Sequence, residues 1–139
     1  MKKPMLLFVL KCTVIVYFAA CTSIQNFTTV KSATAVITRA PWKVNLYTVD
    51  RQDQTQELEG YTLNFKNSGE LVVSKDGVDI KGNWSEGNES NRIRIDVGQA
   101  DKNLKKLNNY WLISEISNNK VAFTGSPAAN SDRLNIATR

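Results

Sequence analysis

The sequence predicts an all-β fold, an eight-stranded antiparallel up-and-down meander, on three observations. From Trp42 onward apolar residues recur with a period of two rather than 3.6. Eight such stretches are separated by turn-forming residues, and most of the links between them are short. A meander of that length normally closes on itself, because closure removes the unpaired backbone of its two edge strands. The expectation is a barrel or half-open barrel occupying residues 33–139 as a single domain.

Each element follows from local chemistry. The segment Ala33 to Ala40 reads equally as a short helix or a strand, and Pro41 ends it either way. The first strand, Trp42 to Val49, places Trp42, Val44 and Leu46 on one face and Lys43 and Asn45 on the other. After a loop from Asp50 to Gly60 comes Tyr61 to Lys66, where Tyr61, Leu63 and Phe65 alternate with polar residues. Asn67-Ser-Gly-Glu70 makes a tight turn into Leu71 to Lys75, and Asp76-Gly77 is a strong two-residue hairpin signal leading into Val78 to Trp84. Gly82 within that strand marks a bend or a close backbone approach. Arg92 to Val97 alternates cleanly, with Ile93, Ile95 and Val97 inward and Arg92, Arg94 and Asp96 in water. Asp101 to Leu107 has Leu104 and Leu107 spaced for one helical turn. Tyr110 to Ser117, Lys120 to Thr124 and Arg133 to Thr138 complete the eight strands.

Ahead of the domain, residues 1–20 combine basic Lys2 and Lys3, an apolar stretch and a small-residue end at Ala19-Ala20, the pattern of a secretory signal peptide. The apolar run from Met5 is interrupted by Lys11 and falls short of the ~20 residues a transmembrane helix needs. Phe18-Ala-Ala-Cys21 resembles the lipobox of bacterial lipoproteins, which implies acylation of Cys21 and a tether to the lipid bilayer. Cysteine usage agrees: Cys12 leaves with the signal, and a lone thiol at Cys21 in an oxidising compartment is a liability unless capped. Residues 21–32, rich in Thr and Ser, read as the lipidated N-terminus and its linker. No disulfide is available to the mature chain, so packing has to stabilise the domain.

The net charge of +5 partly belongs to the signal. Removing Lys2, Lys3 and Lys11 leaves 15 basic residues against 13 acidic ones, a balance of +2. Charge this balanced and dispersed provides no footprint for nucleic acid, and that partner class is set aside.

Catalytic chemistry has little to draw on. The chain contains no histidine, which removes Ser-His-Asp and Cys-His systems and the usual zinc sites. Asp50, Asp53, Glu57 and Glu59 crowd one loop, but their spacing does not match an EF-hand, and Arg51 among them points to ordinary surface charge. The reading is that the protein is not an enzyme and carries neither metal nor other cofactor. The aromatic residues form the other constellation. Trp42, Leu63, Phe65, Trp84, Ile95 and Phe123 are the candidates to line an apolar ligand cavity if the barrel is hollow. If it is solid, the same residues simply fill the core. Tyr47 and Tyr110 fall on the opposite face by alternation, where exposed aromatics suit a partner surface.

Pro41-Trp-Lys-Val44, Leu58-Glu-Gly-Tyr-Thr-Leu-Asn-Phe65, Gly82-Asn-Trp84 and Leu107-Asn-Asn-Tyr-Trp111 together resemble the small lipocalin-like lipoproteins of Bacteroidetes. The resemblance runs from about Ala40 to Ile136. It implies a lipocalin-like barrel or half-open barrel in the cell envelope, of a largely uncharacterised family. The chain departs from true lipocalins in carrying its Gly-x-Trp on the fourth predicted strand rather than the first. No acidic cluster of the kind that directs such lipoproteins to the cell surface follows Cys21, so the expected location is the outer membrane, facing the periplasm, with exposure at the cell surface as the alternative. Two functions follow. One is a tethered barrel that binds a small apolar ligand. The other is a solid barrel that contacts an envelope protein as a structural or interaction module.

Overall fold

The computed structural model describes residues 32–88, 91–126 and 131–138. The predicted signal, Cys21 and all of the linker except Ser32 lie outside the described residues. Among the described residues there are nine strands: β1 (Trp42–Val49), β2 (Gln52–Asp53), β3 (Thr62–Phe65), β4 (Glu70–Lys75), β5 (Val78–Glu86), β6 (Arg92–Asp96), β7 (Asn109–Ile116), β8 (Lys120–Ser126) and β9 (Arg133–Ala137). They pair in the order β2-β1-β3-β4-β5-β6-β7-β8-β9, and β1 also pairs with β9. Eight strands therefore close into an antiparallel barrel, and β2 is an extra strand folded back on β1. The predicted meander is present, and among the described residues its closure leaves only β2 as a free edge.

The hairpins form where the turn chemistry placed them. Asp76 and Gly77 both take positive φ, 52° and 79°, which is the twist a two-residue hairpin between Lys75 and Val78 requires. The ambiguous segment is a helix, α1 (Ala33–Ile37), with Ala33, Val36 and Ile37 buried. It plugs the barrel end at which β1 begins. A 3₁₀ turn at Leu104–Leu107 buries both leucines at the opposite end. A second 3₁₀ turn, Thr55–Leu58, buries Leu58 and occupies part of what the sequence presents as a plain loop.

Two features of the register depart from simple alternation. In β1 the pairing with β9 shifts between Val44 and Leu46, so Asn45 is an extra residue opposite the step from Ile136 to Asn135. Such a bulge inverts the in-and-out parity of everything beyond it. Trp42 is buried and Val44 packs on the core, but past the bulge it is Tyr47 that turns inward, at 2 % exposure. The expectation that Leu46 is inward and Tyr47 outward is thus corrected. The same irregularity between Ile113 and Glu115 makes Ser114 the extra residue of β7, and its hydroxyl donates to the Ala122 carbonyl at 3.1 Å.

Gly82 marks a close approach, as its sequence setting suggests. A Cβ there would lie 2.4 Å from the Asp96 carbonyl oxygen and 2.7 Å from Val97 Cα, both backbone atoms of the neighbouring strand and its exit. The absent side chain is what lets β5 and β6 meet at this level of the barrel. No described helix is long and apolar enough to cross a membrane.

Candidate functional site

The six residues proposed for an interior ligand do converge. Leu63 and Phe65 on β3, Trp84 on β5, Ile95 on β6 and Phe123 on β8 all point into the barrel with Trp42 of β1. Their packing is close: exposure is 0 % for Leu63, 1 % for Trp42, Phe65, Ile95 and Phe123, and 6 % for Trp84. The Phe65 and Trp84 rings meet edge to face, with centroids 5.6 Å apart and planes at 88°. A cavity of roughly 300 Å³, the lower end for ligand pockets, would leave accessible surface on the side chains that bound it. These six retain almost none.

The tryptophans also hold the barrel ends in place, which sequence patterning alone does not reveal. An indole N–H buried among apolar groups has to find an acceptor. Trp42 Nε1 donates to the Ile37 carbonyl at 2.7 Å and ties down α1. Trp111 Nε1 donates to the Leu107 carbonyl at 2.9 Å and ties down the 3₁₀ plug at the other end. Trp84 Nε1 donates to the Lys66 carbonyl at 2.8 Å, bracing the β3–β4 turn. Each ring fills core while its one polar atom fastens a connecting segment.

The acidic loop is committed to local structure. The Asp53 carboxylate accepts from the Thr55 amide at 2.9 Å and from its hydroxyl at 2.6 Å, and these bonds hold its pKa below the usual carboxylate value. Glu57 pairs with Lys106, whose ammonium also donates to Gln54 at 3.0 Å. Among the described residues no group of three or more His, Cys, Asp or Glu is placed to hold a metal ion. Tyr47 sits under this loop. Burial first, then the charges of Asp132 and Glu57, push its phenol up to about 12.

Asp101 performs a comparable task at the same end. It accepts from the Asn103 and Leu104 amides at 2.8 and 3.0 Å, opening the 3₁₀ turn, and from the Tyr61 hydroxyl at 2.8 Å. Chiefly the Leu104 amide, then the Tyr61 hydroxyl, lower its pKa.

Open space lies on the outer wall. β1 and β3 pair only through Trp42–Leu63 and Lys43–Thr62, and beyond that pairing a groove of about 460 Å³ opens between Lys43, Val44, Asn45, Glu59 and Tyr61. Two further depressions, of about 230 and 350 Å³, lie on the outer face of β5, β6 and β7 and share Arg94 and Asp96. Trp84 and Ile95 border these two from the core side. Tyr110, 46 % exposed, stands beside the larger, and with Val78 it is one of two large apolar side chains in the described residues that face water. Of the two tyrosines expected outside, Tyr110 is there and Tyr47 is not. Sequence reasoning passed over Arg94 and Asp96 as an ordinary wet face, because what distinguishes them is their place beside Tyr110 across β6 and β7.

No protein-family model matches the chain, and no curated protein is detectably similar to it. Among solved structures, the chain is similar to the crystal structure of a DUF4847 family protein from Bacteroides vulgatus, with a TM-score of 0.57 over 76 % of this chain and 96 % of that one, at 13 % identity. At that identity the likeness speaks for the fold, an antiparallel β-barrel shared with a protein of an uncharacterised family from Bacteroidetes.

Proposed function

We propose that the chain is an envelope lipoprotein, anchored through acylated Cys21 in the outer membrane and facing the periplasm, whose solid barrel works as an interaction module through its outer surface. The observation that carries this reading is the packing of the six interior candidates, none more than 6 % exposed. A carrier of a small apolar molecule needs space where this barrel has side chains. Both ends are also stoppered, by α1 on one side and by the Leu104–Leu107 turn on the other, each fastened by an indole hydrogen bond.

Ser32 and Thr34, at the start of α1, hydrogen-bond to Glu86, so a linker arriving from Cys21 reaches the barrel at its α1 end.

Native mass spectrometry of the purified mature protein, compared with a denatured sample, tests the reading. The expected result is a single mass with no small molecule released on denaturation. A discrete ligand mass that is lost on denaturation, and whose retention drops in Trp84→Ala or Phe65→Ala, would return the barrel to the carrier class. Labelling with radioactive palmitate tests the anchor, which Cys21→Ser should abolish.

A further inference from the structure

We propose that the outer face of β5, β6 and β7 is a binding site for a neutral oligosaccharide chain. The inference rests on the outer-surface reading above but not on the lipid anchor.

The site is assembled by register. Arg94 of β6 lies opposite Tyr110 of β7 and Ser85 of β5, and Asp96 lies opposite Asn83. All of these are outward positions. The Arg94 guanidinium carbon stands 5.7 Å from the centre of the Tyr110 ring, and its Nη2 is 3.6 Å from Asp96 Oδ2. The other Asp96 oxygen accepts from the Gly98 amide at 3.0 Å, which fixes the carboxylate. Asn109 Oδ1 accepts from the Tyr110 amide at 2.8 Å, so its side-chain NH₂ is held at the rim of the larger depression. The two depressions meet at Arg94 and Asp96 and form one shallow strip across three strands.

The chemistry of this strip narrows its ligand. Arg94 and Asp96 neutralise each other, so the strip offers no net charge to a phosphate or an acidic peptide. An apolar ligand would have to desolvate both of these charges and the neighbouring carboxamide without replacing their hydrogen bonds. A pyranose matches both halves of the surface. Its C–H groups pack on the exposed part of the Tyr110 ring, and its hydroxyls, each donor and acceptor, meet the guanidinium that lies over that ring and the carboxylate and carboxamide beside it. An elongated strip with two depressions fits more than one sugar unit, hence a chain rather than a monosaccharide.

The test is titration calorimetry on the purified protein in a detergent without a sugar headgroup, using four linear hexasaccharides: cellohexaose, maltohexaose, xylohexaose and chitohexaose. At least one is expected to bind. Tyr110→Ala and Asp96→Asn are each expected to weaken that binding about tenfold or more, with thermal unfolding unchanged because both side chains lie outside the core. Tyr110→Phe should retain it, and Val78→Ala, at the other exposed apolar position, should leave it alone. Absence of binding by all four sugars at millimolar concentration, or binding that survives Tyr110→Ala intact, would overturn the proposal. Native mass spectrometry reports on the core independently, so an empty barrel with no sugar binding would remove this inference and leave the outer-surface reading standing.

Discussion

Replacing Phe65 by alanine distinguishes a solid barrel from a hollow one through stability alone. Phe65 is 1 % exposed and sets its ring against Trp84 at 5.6 Å. Burying such a side chain is worth about 1.5–3 kcal/mol in transfer from water. The edge-to-face pair adds about 0.5–1.5 kcal/mol. Truncation also leaves a void that a closed barrel cannot collapse, which brings the expected loss to about 3–5 kcal/mol. For a domain of this size, at about 4 °C per kcal/mol, the midpoint of thermal unfolding should fall by roughly 12–20 °C. Urea unfolding, followed by circular dichroism and by the fluorescence of the buried tryptophans, gives the free energy directly. If the variant proves too unstable to purify, Phe65→Leu should show a smaller loss of about 1–1.5 kcal/mol. A loss for Phe65→Ala below about 1 kcal/mol, with an unchanged denaturant slope, would refute the reasoning, since a ring that lines open space gives up little when it is removed.

Other consequences are equally open to measurement. Trp111→Phe keeps a ring in the core but strips the Leu107 carbonyl of its donor; it should cost about 1–3 kcal/mol, and amide exchange should quicken first at residues 104–108. Gly82→Ala drives a Cβ into the Asp96 carbonyl, forcing β5 and β6 apart, with an expected loss of about 1–3 kcal/mol in chemical denaturation. Glu86 has its pKa lowered chiefly by the Thr34 hydroxyl, so its contribution to holding α1 is present above the ordinary carboxylate range and is lost as pH falls through its depressed value. Amide exchange in α1 should therefore rise on acidification, and Thr34→Val should flatten that dependence. Tyr47 has the opposite sign: its neutral form is favoured by folding, so stability is retained up to the ordinary value of 10.0 and lost as pH rises toward about 12. Tyr47→Phe should reduce the alkaline loss in a pH series of thermal melts, leaving the part due to Tyr61, whose pKa is raised chiefly by its hydrogen bond to Asp101.

Much of the fold is legible because its signals are local. Alternation in Arg92–Asp96 needs no knowledge of partners, and Asp76-Gly77 specifies a hairpin through its own backbone preferences. β2 escaped notice for a matching reason. Its turn uses Asp50 and Arg51 at φ of 49° and 66°, an arrangement that Asp-Arg does not advertise. The turn is steadied from a distance, by the Asp50 amide donating to the Asp132 carboxylate at 3.1 Å.

The candidate sites divide along the same line. Composition brought Trp42, Phe65 and Trp84 forward, and the barrel does gather them, but whether they enclose space depends on how tightly eight strands close around them. Alternation puts Arg94 and Asp96 on one wet face and Tyr110 on another strand's outer face; only register sets Tyr110 beside them.

By itself, then, the sequence determined the class of fold, the hairpins and the apolar set, because period and turn chemistry act within a few residues. The tertiary structure decided the bulge at Asn45 that turns Tyr47 inward, the β1–β9 seam that closes the barrel, the filling of its interior and the strip beside Tyr110. Each of these depends on which residues of distant strands lie opposite one another, and a single residue of register reverses every side chain beyond it.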